Sequence, residues 1–171
     1  VYSVPWATGT TGIGYDTTVF PEPPDWTVFL SGEQAGRMTL LNERREAFAA
    51  ALYAADGDPN TTDAAELAAA EETLRAMLAN AELDAATYLG RLAAGELVAA
   101  QAFSTDLLQA RRTNPNLAFV VPPQGGTRWV DLLCVPDDAP NPGLASRFVA
   151  YYLDAKVSAA NAAAIQADTG N

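Results

Sequence analysis

The sequence predicts an α/β protein with a largely parallel sheet. Short apolar, strand-like runs alternate with amphipathic helical stretches along most of the 171 residues. Hydrophobic residues make up 49% of the chain, which excludes a wholly disordered polymer. The length suits one well-formed core, or two small ones.

The elements follow in order. Residues 1–4 and 12–15 have strand character and are separated by Pro5-Trp6-Ala7-Thr8-Gly9. Pro21-Glu22-Pro23-Pro24 marks a loop, and 26–30 suits either a short strand or a helical turn. A buried strand is expected at 38–41. Asn42 is placed to cap a helix over 43–55, whose apolar face is Phe48, Ala51, Leu52 and Ala55. Gly57-Asp58-Pro59-Asn60 ends it. Asp63-Ala64-Ala65-Glu66 forms a capping box before a helix burying Leu67, Leu74, Met77 and Leu78. A third helix, 85–94, stops at Gly95.

Residues 97–103 then read as a buried strand, 104–111 as a short helix and 117–121 as another strand. Pro122-Pro123-Gln124-Gly125-Gly126 turns the chain into a strand over 129–135, where Cys134 is expected as a core thiol. Asn141-Pro142 opens a helix that should bury Leu144, Phe148, Val149 and Tyr152. A last helix covers 156–167.

Charge narrows the function. Ten basic against 21 acidic side chains leave a net charge of -11, which repels phosphate backbones, and no Lys/Arg stripe offsets it. Nucleic acid is therefore not the expected partner, whereas a cationic solute suits the field. With no His and one Cys there is no His-based metal or general-base site and no internal disulfide. No run approaches the roughly 20 apolar residues of a membrane span. Val1 is not the product of a start codon, so a removed leader or a larger missing part is expected before it.

Several side chains are candidates for holding a cation. Glu43 and Glu46 lie three apart in the first turn of a helix, where they serve either as ordinary helix-start acids or as a paired clamp for an ammonium group. Trp129 and Asp131 share one face of a strand, which the Gly125-Gly126 turn would bring to a strand end. An Asp beside a Trp can pair with an amine while the ring holds its methylenes. The pair equally suits a structural hydrogen bond. Trp6 and Phe103 are either plain core or, with Trp129, the walls of a slot for an alkyl chain. Enzyme readings fail: Ser146 and Ser158 have no His, Gly12-Ile13-Gly14 completes no dinucleotide signature, and no local pattern supports Glu46 with Asp131 as a glycosidase pair.

Several segments together resemble the bacterial polyamine-binding proteins, the spermidine/putrescine-binding components of ABC uptake transporters. They include Val4-Pro5-Trp6-Ala7-Thr8-Gly9-Thr10-Thr11-Gly12-Ile13-Gly14-Tyr15, Asn42-Glu43-Arg44-Arg45-Glu46-Ala47-Phe48 and Pro59-Asn60-Thr61-Thr62-Asp63. Further along are Gly95-Glu96 running to Phe103-Ser104, Gly125-Gly126-Thr127-Arg128-Trp129-Val130-Asp131, Val135-Pro136-Asp137-Asp138-Ala139-Pro140-Asn141 and Tyr152-Leu153-Asp154-Ala155-Lys156-Val157.

The resemblance implies a type II periplasmic-binding-protein fold, mostly its second lobe plus a return segment of the first. In that family two α/β lobes hold the ligand in a cleft. It further implies 1–128 as second lobe and 129–171 as hinge crossing and partial first lobe, with 132–135 in a different sheet from 97–103. Asp131 would take one amine with Trp129 along the ligand chain, and Glu43 and Glu46 would take another. Phe103 stands where the family often has Trp, and Ala167 where it has a ligand-contacting aromatic. The implied function is an extracytoplasmic polyamine receptor, with no cofactor, feeding an ABC permease. A second chain is a possible complement for the missing first-lobe part. The alternative is a scaffold or interaction domain that has lost the ligand site.

Overall fold

The computed structural model describes residues 3–165. The strands are β1 (Ser3–Asp16), β2 (Met38–Leu40), β3 (Ala81–Leu83), β4 (Ala99–Phe103), β5 (Leu117–Val120) and β6 (Thr127–Cys134). The helices are α1 (Arg44–Ala54), α2 (Ala64–Met77), α3 (Tyr88–Ala93), α4 (Ser104–Ala110), α5 (Pro142–Tyr152) and α6 (Ala155–Ile165). The chain divides into two compact units, Thr10–Thr127 and Val1–Gly9 with Arg128–Asn171. The first nine residues thus group with the C-terminal stretch rather than with 10–127, because β6 pairs with β1.

In the Thr10–Thr127 unit the strand order is β3-β2-β4-β1-β5. β2 is parallel to β3 and to β4, while β1 is antiparallel to β4 and to β5. The four strands β2 to β5 therefore run the same way, as helical crossovers require, and β1 alone is reversed. The sheet is mixed for that one reason, its other four strands having the common direction expected of a largely parallel sheet. Helices cover both faces. Ile13, Tyr15, Met38 and Leu40 pack with Trp26, Phe29, Ala50 and Met77 on one side. Ala100, Ala102 and Leu117 pack with Tyr88, Leu92 and Leu107 on the other.

The expected break between residues 4 and 12 does not occur: β1 is one strand of 14 residues. Its glycines mark close approaches rather than a turn. A Cβ on Gly14 would fall 2.6 Å from Leu107 Cδ2, and one on Gly12 would fall 2.4 Å from the Val120 carbonyl.

Local capping largely explains the helix starts. Asp63 accepts from the Ala65 and Glu66 N–H groups at 2.8 and 3.0 Å, and Asn141 accepts from Leu144 at 3.1 Å. Asp25 caps a 3-10 helix over Trp26–Leu30, which decides between the two readings of that stretch. Asn42 does not cap α1; Glu43 holds the N-cap position and makes no side-chain cap bond. β3 was absent from the sequence expectations, since three residues with two exposed are too short for a period to show.

The other unit contains β6, α5 and α6. Here the expected core is not built. Leu144 and Phe148 are 61% and 55% exposed, only Val149 and Tyr152 of the expected four are half-buried, and Cys134 is exposed rather than a core thiol. The physical reason is that α5 meets α6 and, through Tyr152, the Trp6 ring, leaving most of its apolar surface uncovered among the described residues. Residues 132–134 also belong to the same hydrogen-bonded sheet as β4, contrary to the expected separation, because both β6 and β4 pair with β1. The stretch 166–171, including Ala167, lies outside the described residues.

Asp84 organises the entry to α3. It accepts from the Ala86 and Thr87 N–H groups at 2.9 and 2.8 Å and from the Thr87 hydroxyl, with Arg91 at 3.3 Å. The Thr87 hydroxyl above all, then its N–H, holds the carboxyl down to about 2, against 3.8 for a free Asp. Because the folded value is the lower one, the carboxylate's contribution is complete above the unfolded value and is lost as pH falls toward 2. Urea denaturation should show Asp84→Ala less stable than wild type at pH 7, with a gap that narrows between pH 4 and 2. A gap independent of pH would remove this role.

Candidate functional site

Among the described residues, Glu46 is the carboxylate whose pKa is raised. It lies in the first turn of α1, half-buried, and its Oε2 is shielded from solvent without a hydrogen-bond partner. Burial raises its pKa, and the nearby charge of Glu43 adds to the rise. The Thr11 and Thr127 side chains and the Arg45 charge oppose it but do not prevail. Thr11 Oγ1 is itself buried and closes no strict hydrogen bond. No carboxylate–cation ion pair to Glu46 forms among the described residues. A carboxylate held in this way favours a cation that can replace its lost water.

The surrounding elements explain the placement. Thr11 and Phe103 are register partners across β1 and β4, so Phe103 stands at the same end of the ladder as Thr11. Thr127 opens β6 directly after the Gly125-Gly126 turn. That turn is tightly held. Gly125 has φ +114°, a region suited to glycine, and its carbonyl accepts from the Trp26 indole at 2.9 Å. Trp26 stacks on Tyr53 at 5.6 Å and 16°. A Cβ on Gly126 would meet the Thr11 carbonyl at 2.5 Å. Burial raises the Tyr53 pKa; the Thr127 side chain opposes the rise, and the Glu46 charge adds to it.

Glu43 behaves differently from Glu46. It is exposed at the α1 N-cap and lines an open groove of about 950 Å³ between α1 and α2, with Arg44, Arg45, Phe48 and Leu67. Glu46 does not line that groove.

Trp6, Trp129 and Asp131 belong to the other unit. The Trp129 ring lies across β1 at Gly9, where a Cβ would come within 2.2 Å of it, and the Thr8 hydroxyl donates to the Trp129 carbonyl at 2.8 Å. Two residues on, Asp131 is exposed, and no hydrogen bond or ion pair to it is present among the described residues. Trp6 meets Tyr152 edge-on at 5.8 Å. The six candidates thus divide three and three between the units. Sequence reasoning did not assign roles to Thr11, Tyr53 and Thr127, whose proximity to Glu46 depends on strands and a helix far apart in the chain.

The family profile described as bacterial extracellular solute-binding protein matches residues 1–170. The chain belongs to this family. It is 29% identical over 170 residues to the putrescine/cadaverine-binding protein of Pseudomonas aeruginosa, covering 91% of this chain and 48% of the relative. To spermidine/putrescine-binding periplasmic protein 1 of Haemophilus influenzae it is 29% identical over 173 residues, covering 99% and 48%. A solved structure described as a putative spermidine/putrescine ABC transporter from Listeria monocytogenes superposes with a TM-score of 0.92 at 27% identity, over 99% of this chain and 53% of that one. The chain spans about half the length of the curated relatives it matches. The relatives are binding proteins rather than enzymes, and family membership makes the chain extracytoplasmic. Among the described residues no helix is long and apolar enough to cross a membrane.

The raised pKa of Glu46 has a definite sign in stability. The folded protein holds its proton more tightly than the unfolded chain, so stability is greatest below the ordinary value of 4.5 and declines as pH rises through the folded value. Glu46→Gln keeps the shape without the charge. In urea titrations the variant should gain on wild type between pH 4 and 7, and a variant that loses ground there would show the carboxylate to be stabilised by the fold.

Proposed function

We propose that the protein carrying these residues is a receptor for a small polyamine, and that it hands its ligand to an ABC permease. The observation that carries this reading is Glu46: a half-buried carboxylate with one shielded oxygen and no ion-pair partner among the described residues. An alkylammonium group supplies what it lacks, a charge and hydrogen-bond donors. Relatives named for binding putrescine, cadaverine and spermidine support the same ligand class, as does the net charge of -11.

In this reading the Thr10–Thr127 unit is the second lobe, and Arg128–Asn171 with Val1–Gly9 is a portion of the first. Glu46 takes one ammonium group and Asp131 takes another, with Glu43 as a weaker, exposed contributor to the first. Trp129 and Phe103 offer flat surfaces to methylene chains, and Trp6 belongs to the aromatic cluster of its unit. Phe103 presents a smaller surface than an indole would.

The test is calorimetry with putrescine, cadaverine and spermidine on the intact protein that carries these residues. Putrescine should bind, and Glu46→Gln should weaken it by about 2 kcal/mol or more, the loss expected when a desolvated charge pair is broken. Glu43→Gln and Asp131→Asn, both at exposed carboxylates, should cost only about 0–1 kcal/mol, as exposed pairs do. Absence of binding by the folded wild type would overturn the assignment and leave a scaffold that has lost its ligand. Equal, small losses in all three variants would move the site elsewhere.

A further inference from the structure

Gln101 is the one side chain of β4 that interrupts an otherwise apolar, buried strand: it is 1% exposed, between Ala100 and Ala102 at 0%. A buried amide must be fully engaged to be tolerated. Its Oε1 accepts from the Leu41 N–H at 3.1 Å, and its Nε2 donates to the Glu46 carbonyl at 2.9 Å. The orientation of the amide follows from its partners, since only the carbonyl end can accept and only the NH2 end can donate.

The two partners are a backbone donor just past a strand and a backbone acceptor within a helix. Leu41 directly follows β2, whose parallel register with β4 runs Met38 to Ala99 and Thr39 to Ala100, so its N–H lies just past the last register pair. Glu46 is in the first turn of α1, and its carbonyl, an acceptor within the helix, takes the Gln101 amide as a second donor. Gln101 also pairs in register with Ile13, which places its side chain on the sheet face that packs against α1. One amide therefore ties the sheet's central strand to the end of β2 and to the start of the helix that carries Glu46.

We propose that Gln101 is a positioning residue for the Glu46 carboxylate. Through the Glu46 carbonyl it anchors the first turn of α1, so that the carboxyl is held at Thr11 and Thr127 with Oε2 shielded from water. The consequence for binding rests on the polyamine reading of Glu46, whereas the consequence for the carboxyl's own environment does not.

The experiment uses the intact protein and two readouts, the titration of the Glu46 side-chain carboxyl by carbon-13 NMR and the putrescine affinity by calorimetry. Gln101→Met keeps the length and removes both hydrogen bonds. With the tie gone, the Glu46 titration should move down toward that of an ordinary carboxylate. Putrescine affinity should fall about fivefold, the equivalent of one net hydrogen bond. Leu107→Val, a buried change on the opposite face of the sheet, serves as the control for destabilisation alone and should move neither readout. If Gln101→Met does not fold, the smaller uncharged variant Gln101→Ala, which also lacks both hydrogen bonds, is read the same way. Lowered stability with the Glu46 titration and the affinity both unchanged would overturn the proposal and make Gln101 purely structural. If wild type binds no putrescine the functional reading fails, and the Glu46 titration alone then decides the role of Gln101.

Discussion

The strand Ser3–Asp16 is the constraint on which the rest of the structure depends. Over its second half it runs between β4 and β5, opposite in direction to both, and it also pairs with β6. A strand hydrogen-bonded on both sides has no freedom to slip, because a shift of one residue would turn Thr11, Ile13 and Tyr15 from the α1 face to the face of α3 and α4. Glycine at 12 and 14 reinforces that register, since Phe119, Val120 and Leu107 occupy the space a side chain would need. Thr11 is therefore set beneath Glu46 by a ladder rather than by a loop.

The site in this unit is a helix start held down from three directions. Thr11 approaches from β1, Thr127 from the beginning of β6, and Gln101 from β4 through the Glu46 carbonyl. The Gly125-Gly126 turn is fixed in its turn by Trp26 and Tyr53. Such support keeps a charged side chain in one place at the cost of partial desolvation, an arrangement that favours a cationic ligand over water. Glu43, one turn earlier and exposed, has no comparable support, which is why two glutamates three residues apart are not equivalent.

Family resemblance could be read from the order of short segments, because side chains near a binding site and the turns around it leave local patterns. Asp63, Asn141 and the Gly125-Gly126 turn were legible for the same reason: each acts on backbone groups within a few residues of itself. The lone Gln in the apolar run around 101 was a visible signal that sequence reasoning passed over. Its partners, Leu41 and Glu46, lie 60 and 55 residues away, and nothing local names them. Asn42 misled for the opposite reason: it is a good capping residue in the right place, yet the chain enters α1 one residue later.

By itself the sequence determined the alternation of strands and helices, the anionic character, the absence of histidine chemistry and the candidate carboxylates, all properties of composition and of neighbours along the chain. Tertiary structure alone decided that β1 is one reversed strand, that the sheet is mixed, and that Cys134, Leu144 and Phe148 face outward rather than into a core. It also decided which glutamate is desolvated. Hydrophobic pattern states that a residue prefers burial, but burial itself requires a partner surface, and that surface comes from segments distant in sequence. The α5 face has the pattern without the cover, whereas Glu46 has cover that no pattern announced.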